Sequence, residues 1–390
     1  MKILLTVEYY TPSVGGAQEV VKQLAERLAR RGHRVTVATT RLPQRQAVEI
    51  NGVRIAEFPI RGNQALGFDG PVEDYQRFLL DGDFDAMLNY AAQQWTTDLV
   101  LPLLGRLTYP ALLAPCGFSG LRNAAYAGYF AELPEALRRY DRLILHSDIY
   151  QDAAYLREHG LGYRVMTNGA AEDEFSQADG SFRRRYRIPD NAVMLLTVGS
   201  HTGIKGHKLA IQAFGQAAIG RAVLVIIGNT LNNQGCLPSC RKRALLANLT
   251  GFGRKTVHLL DPPRADVVAA YHAADLFVFG SNVECSPLVL FEAMASRTPF
   301  VSLACGNAAE IADWGQGGVI LPTHPWKNGM VNGDVDDMAT AITRLVRDPE
   351  ERRRLAENGY RAWRERFTWE RIVMQYESLL MEAIEQRKET

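Results

Sequence analysis

The chain has 390 residues, enough for two domains with a core apiece. Its 44 Lys and Arg nearly balance its 43 Asp and Glu, and the net charge of +1 gives no electrostatic case for nucleic acid as a partner. Five Cys at this length exclude a disulfide framework, and no apolar run is long enough to cross a membrane.

Met1 and Lys2 lead straight into ILLTV, which is too short for the apolar region of a secretory signal and lacks a cleavage site, so a cytoplasmic protein is expected. KILLTV reads as the first strand. The loop YYTPSVGG follows, then a helix from Ala17 to Arg31 with apolar Val20, Val21, Leu24 and Leu28, then the strand HRVTVATT. Gly15 and Gly16 let a ligand approach the backbone where a helix N-terminus offers N–H groups to a phosphate, although Gly-Gly also suits a plain turn. The run ERLARRGHRVTVATTRLPQR is locally basic. It reads as a solvated helix face, with an acidic substrate or weak peripheral contact at the anionic inner face of a membrane as the alternatives. PALLAPCG and DRLILHS are further strands, each followed by a helix-compatible stretch, and this alternation implies a parallel sheet with helices on both faces. The acidic runs DGDFD (81–85) and DVDD (334–337) read as helix caps and first turns rather than metal sites.

A turn-rich stretch, NGAAEDEFSQADGSF, interrupts the rhythm at 168–182, after which strands and helices alternate again. The fold class is therefore α/β, with two Rossmann-like, doubly wound parallel-sheet domains facing a cleft. In such sheets ligands bind beyond the carboxyl ends of the strands. The loop TVGSHTGIKGHK (197–208) joins a strand to a helix, with Gly199, Gly203 and Gly206 relaxing it and Lys205 offering a point charge suited to a diphosphate. His207 and Lys208 read as surface polar residues. In GCLPSC, Cys236 and Cys240 are separated by three residues and no His or Cys pair follows at zinc-ligand spacing, so two ordinary loop cysteines are expected, with a redox pair as the alternative and no metal.

The stretch SNVECSPLVLFEAMASRTP (281–299) carries Glu284 and, after seven intervening residues, Glu292. Ser286 and Pro287 suit a helix start, with the Ser hydroxyl capping and Pro at the first helical position. The helix that follows is apolar all round, so Glu292 should be buried, and no Lys or Arg lies at helical spacing to pair with it. It needs a distant Arg or the hydroxyls of a ligand.

Gly199 and Lys205-Gly206, followed by DLFVFGSNVECSPLVLFEAMASRTPFV, resemble the retaining, nucleotide-sugar-dependent glycosyltransferases of family 4, which have the GT-B fold. TPSVGGAQEVVKQLAERLARRGHRVTVAT is similar to that family's opening segment, and VMTNGAAEDEF to its interdomain segment. LVRDPEERRRLAENGYRAWRERFTWERIVMQYESLL is similar to the closing helices, of which the last crosses back to the first domain. The resemblance implies an N-terminal acceptor-binding domain at 1–168, a linker at 169–190, a donor-binding domain at 191–368 and a returning helix at 369–390. It implies transfer of a hexose or related sugar from a nucleotide diphosphate, UDP being favoured, to an unknown acceptor hydroxyl with retention of configuration, in glycan, polysaccharide or glycoconjugate synthesis. No cofactor and no metal are implied. By the same resemblance Glu292 accepts hydrogen bonds from the ribose hydroxyls and Glu284 holds the donor sugar. Lys205, with Gly199, Ser200 and Gly206 around it, neutralises the diphosphate. Gly15 and Gly16 approach the same phosphates, and the N–H groups of Leu288 and Val289 support phosphate or sugar. With the whole pattern in view, ligand hydroxyls are the favoured partners of Glu292.

Three positions depart from the family pattern. Ser200 stands where an Arg is usual, leaving His201, also a candidate sugar or acceptor contact like Cys116, Gly117 and Phe118, or another Arg to help Lys205. Cys116 stands where a sugar-contacting His is usual, beside Gly117 and Phe118, and nothing nearby in sequence marks an activating base. Pro287 replaces a Gly and removes an N–H. The aromatic residues Phe118, Tyr126, Tyr129 and Phe130 suit sugar stacking or core packing alike, and acceptor contacts are expected from 61–75 and 117–130. Gly228-Asn229 and Asp261-Pro262-Pro263 are the expected base-reading loops. A nucleotide-sugar epimerase of the same fold and a non-catalytic nucleotide-sugar-binding subunit are the competing readings.

Overall fold

The computed structural model describes residues 1–177, 179–229 and 235–389. They form two compact units, Met1–Asn168 with Trp369–Thr390, and Gly169–Thr368.

The first unit is built on an eight-stranded sheet. Its strands are β1 (Lys2–Thr6), β2 (Arg34–Thr40), β3 (Glu49–Ile50) and β4 (Val53–Phe58), and, after a hairpin of β5 (Arg61–Asn63) and β6 (Gly67–Asp69), β7 (Ala86–Tyr90), β8 (Ala111–Ala114), β9 (Arg142–Leu145) and β10 (Arg164–Val165). The order is β10-β9-β8-β7-β1-β2-β4-β3, parallel throughout except that β3 runs against β4. The central strands AMLNY and ALLA are buried at every position, as expected where helices cover both faces of a sheet. The direction of winding reverses between β1 and β7.

The closing helix Trp369–Glu389 belongs to this unit. It buries Trp369, Ile372, Val373, Tyr376, Leu379, Leu380 and Ala383, a stripe at helical spacing. Glu377 meets Arg31 at 2.7 Å and His33 at 2.6 Å, and Arg387 donates to the carbonyls of Leu107 (2.7 Å) and Tyr109 (2.9 Å). The basic run is thus less solvated than its composition suggests. Arg27 is buried and donates to Gln23, and Arg45 is buried among the carbonyls of Tyr10 (2.8 Å), Thr11 (2.6 Å) and Thr40 (3.1 Å) and the Glu57 carboxylate. A guanidinium has enough donors to satisfy a whole loop at once, which is why it can be drawn inside.

The second unit carries β11 (Val193–Val198), β12 (Ala222–Ile227), β13 (Lys255–Leu260), β14 (Leu276–Phe279), β15 (Phe300–Leu303) and β16 (Gly318–Leu321). They form an all-parallel sheet of order β13-β12-β11-β14-β15-β16, whose switch point lies between β11 and β14. The stretch expected as a linker is folded into this unit. Short helices Glu172–Phe175 and Phe182–Arg185 place Phe175 and Phe182 in its core; Ala178 lies outside the described residues. Of the two acidic runs, Asp334 caps the helix Val335–Arg347 through the N–H groups of Asp336 and Asp337. In the other, Asp85 instead accepts from the Lys2 N–H at 2.6 Å and Asp83 pairs with the Lys2 ammonium.

Asp98 is a buried carboxylate in the first unit. Its oxygens accept from the Gln64 N–H (3.0 Å) and the Tyr129 hydroxyl (3.0 Å), yet burial still pushes it up to about 6. Its folded pKa lies above the unfolded value near 4, so the folded state holds the proton more tightly and stability from this group rises as pH falls through 6. Relative to Asp98→Asn, the wild type is expected to gain about 1 kcal/mol of stability between pH 7 and pH 5. Denaturant titrations of both proteins at the two pH values check this, and parallel pH profiles would refute it.

Candidate functional site

At the switch point of the second sheet, two loops leave adjacent strands and lock together. Asn282 donates its N–H to the Ile204 carbonyl at 2.8 Å, and the Ser281 hydroxyl oxygen lies 3.2 Å from the same carbonyl. Gly206 sits at φ +70, and a Cβ there would lie 1.8 Å from the Gly280 carbonyl oxygen. Only glycine lets the loop after β11 press against the end of β14 so closely. Gly306 closes the far side, at φ +58, where a Cβ would meet the carbonyls of Cys285 at 2.7 Å and Glu284 at 2.8 Å. This packing brings together two residues 79 apart in sequence: Lys205 Nζ lies 2.6 Å from Glu284 Oε1, which also accepts from the Ser281 hydroxyl at 2.7 Å. Both side chains remain partly open to solvent, at 27% and 14%, so the pair contributes little to stability and its groups stay within reach of a ligand.

Glu292 lies on the helix Leu288–Ala295 and is buried, at 7% exposure. Its expected dependence on ligand hydroxyls is corrected by the structure. Arg264, at the head of the helix Arg264–Ala273, reaches it at 2.6 Å and bridges it to Glu174, also at 2.6 Å. Burial works against the Arg264 charge, but the two carboxylates outweigh it and raise its pKa. The distant-arginine reading is therefore the one that the structure bears out. The signal was present in DPPRADVV: a cation at a helix N-terminus opposes the helix dipole and needs acidic partners from elsewhere. Pro287 takes the N-cap position of Leu288–Ala295 rather than the first helical one, and its side chain makes no capping bond to the N–H groups of Leu288 and Val289.

The two histidines of the β11 loop are not surface residues. His201 and His207 are both buried, with their Nδ1 atoms 3.1 Å apart, and Cys236 Sγ lies 3.6 Å from His201 Nδ1 and 3.8 Å from His207 Nδ1. Burial lowers the pKa of both imidazoles, His207 to about 3 with help from His201 and Lys205, and keeps them neutral. His201 is thus turned into this cluster and is not a sugar contact. Cys240 is a buried helix residue, not a loop cysteine, with its Sγ 3.7 Å from that of Cys236. The expectation of no metal set rested on the absence of ligands downstream of Cys240, whereas both histidines lie upstream. Ser200, Gly199 and Gly228 stand in the same neighbourhood: a Cβ on Gly228 would lie 2.2 Å from the Gly199 carbonyl, and Asn229 Oδ1 accepts from the His201 N–H at 3.0 Å.

In the first unit, Gly15 is the N-cap of the helix Gly16–Arg30, with extended φ, and a Cβ on Gly16 would meet nothing within 4 Å. Turn geometry does not demand glycine at either position. Cys116, Gly117 and Phe118 all take positive φ after β8, a strained turn that the sequence does not announce. Burial pushes the Cys116 thiol up to about 12, so it stays protonated. Phe118 is fully buried against Phe130 and Tyr155, and Tyr129 and Phe130 are also buried; these rings pack in the core, which removes Phe118 from the candidate sugar contacts. Gly117 spends its carbonyl on the Gln151 side chain at 2.8 Å.

Two doubly wound parallel sheets, each with a glycine-bearing loop beyond its first strand, define an α/β class that handles nucleotides at strand ends. Residues 15–148 match the family described as Glycosyl transferase 4-like domain, and residues 179–362 match Glycosyl transferases group 1. Among curated relatives, the N-acetyl-alpha-D-glucosaminyl L-malate synthase of Bacillus anthracis is 24% identical over 100% of this chain and 99% of its own. The D-inositol 3-phosphate glycosyltransferase of Corynebacterium urealyticum is 26% identical over 94% of this chain and 90% of its own. Among solved structures, the sucrose-phosphate synthase of Thermosynechococcus elongatus superposes with a TM-score of 0.79 at 21% identity, covering 98% of both chains. The Anabaena protein HepE in complex with UDP gives 0.74 at 17% identity, covering 98% of this chain and 100% of its own. These two likenesses speak for the fold. The chain belongs to the family 4 glycosyltransferases, with the GT-B fold.

Proposed function

We propose that this glycosyltransferase takes its sugar from a nucleotide diphosphate, UDP in the first instance, and passes it to an acceptor hydroxyl with retention of configuration and without a metal in the chemical step. The observation that carries the reading is the Lys205–Glu284 pair at the β11/β14 switch point, 2.6 Å long and partly open to solvent. Lys205 faces the diphosphate and offsets the charge that builds as the glycosidic bond to phosphate breaks. Glu284 holds the sugar hydroxyls and stabilises the positive charge at the anomeric carbon. The acceptor oxygen then bonds to that carbon from the face the phosphate leaves, and its proton passes to the departing phosphate oxygen. Arg264 holds Glu292 oriented for the ribose hydroxyls, a positioning role. The open approach at Gly16 is consistent with phosphate reaching the head of Gly16–Arg30. HepE, whose structure holds UDP, supports the choice of base. A cavity of about 480 Å³ in the first unit, lined by Gln64, Phe68, Val72, Asp98 and Tyr129, draws on the segment expected to meet the acceptor, and we assign the acceptor there.

Thermal shifts with UDP-, GDP-, dTDP- and ADP-sugars, without added divalent metal, test the donor assignment, because a ligand that binds only the folded chain raises its melting temperature by mass action. A shift with the UDP-sugars that disappears in Glu292→Ala is expected. No shift with any donor, or an equal shift in the variant, would count against it.

A further inference from the structure

The cluster beside Lys205 has no part in the transfer proposed above. We propose that His201, His207, Cys236 and Cys240 form a closed, four-ligand zinc site that fastens the loop after β11 to the head of the helix Leu237–Thr250.

Four of the six ligand-to-ligand separations are close to those around a tetrahedral ion, and the two between Cys240 and the histidines are within 4.8 Å. One ligand atom from each residue falls within 4.8 Å of all the others. With Zn–S bonds of about 2.3 Å and Zn–N bonds of about 2.05 Å, a regular tetrahedron has S···S, N···S and N···N edges of about 3.8, about 3.6 and about 3.4 Å. The corresponding separations are 3.7 Å for Cys236–Cys240, 3.6 and 3.8 Å for Cys236 with the two histidines, and 3.1 Å for His201–His207. Two thiolates and two neutral imidazoles balance a divalent charge and supply the donor set that zinc prefers. A cation would take lone pairs from both facing Nδ1 atoms and from both sulfurs at once, whereas without one the two rings share a single proton between their Nδ1 atoms. The sulfur atoms are too far apart for a disulfide, and both cysteines are free.

The backbone is already arranged for such a clamp. Cys236 donates its N–H to the His201 carbonyl at 2.9 Å, and Gly235, at φ +58, approaches that carbonyl so closely that a Cβ would lie 1.8 Å from it. His201 precedes Lys205 and His207 follows it, so the ion holds both ends of the segment that carries the ammonium. Four protein ligands leave no open position, which makes the site structural.

The test begins with the purified full chain, dialysed against metal-free buffer and assayed for metal by mass spectrometry. About one equivalent of zinc is expected, against less than about a tenth in the double variant Cys236→Ser, Cys240→Ser. Cobalt added to chelator-stripped wild type should give the visible bands of tetrahedral cobalt and a thiolate charge-transfer band, a readout that does not depend on any variant folding. Zinc re-addition should restore the melting temperature lost on stripping. A folded wild type that retains no zinc and gives no cobalt spectrum overturns the proposal. So does a Cys236–Cys240 disulfide in the peptide map, or zinc retained in full by the double variant. None of these outcomes depends on the donor, so failure here is separable from failure of the proposed function.

Discussion

Lys205→Ala is expected to lower kcat by roughly 10²–10³, the usual cost of removing one charge-stabilising donor from a reacting centre. The substitution removes the cation that the structure places on Glu284, through a bond of 2.6 Å. Stability should change little, because the pair is partly exposed and such pairs contribute about 1 kcal/mol or less. The two readouts therefore separate: a melting temperature close to wild type, and a turnover number that collapses. KM for the donor should rise less than kcat falls, since charge on the leaving phosphate is greatest in the transition state. A variant with near-normal kcat would remove Lys205 from the chemistry altogether.

The second large effect is steric. In Gly206→Ala the new methyl would sit 1.8 Å from one backbone atom of Gly280 and 2.1 Å from another, in a residue at φ +70. Neither obstacle is the end of a flexible side chain, so the loop must move off β14. A loss of roughly 3 kcal/mol or more is expected, from left-handed strain together with the displaced backbone contact. Gly203→Ala is the internal control. Its φ is also positive, at +92, but a Cβ there meets nothing within 4 Å, so only the strain of about 1–2 kcal/mol applies. Thermal midpoints of the two variants against wild type check the contrast, and equal losses would show that the contact with Gly280 does not matter.

Much of the fold was legible because a parallel sheet covered on both faces writes its strands as unbroken apolar runs. KILLTV, PALLAPCG and DRLILHS read as strands from their apolar runs, and β1, β8 and β9 lie there. The Gly-Lys-Gly spacing and the two glutamates were also visible, as was their position beyond strand ends. Partners supplied by a different part of the chain were not. Glu292 was read for neighbours at helical spacing, whereas its cation comes from Arg264 on another helix. Cys236 and Cys240 were read for ligands downstream, whereas the sheet returns the β11 loop and its two histidines from upstream. Phe118 shows a third limit. Three successive residues at positive φ turn its ring into the core, and no residue type in CGF other than the glycine hints at that conformation.

The Lys205–Glu284 pair bears on a question of competition. A lysine standing alone at this position would bind any passing anion, inorganic phosphate and free nucleotide included. Here a carboxylate held 2.6 Å away is a permanent rival for the ammonium, at an effective concentration no solute can match. An anion that displaces it must leave Glu284 without its counterion. A nucleotide sugar escapes that penalty, because it brings phosphate for the one group and hydroxyls for the other in the same molecule. On the proposed reading, the site is guarded by its own two catalytic groups, and only a ligand that satisfies both at once opens it.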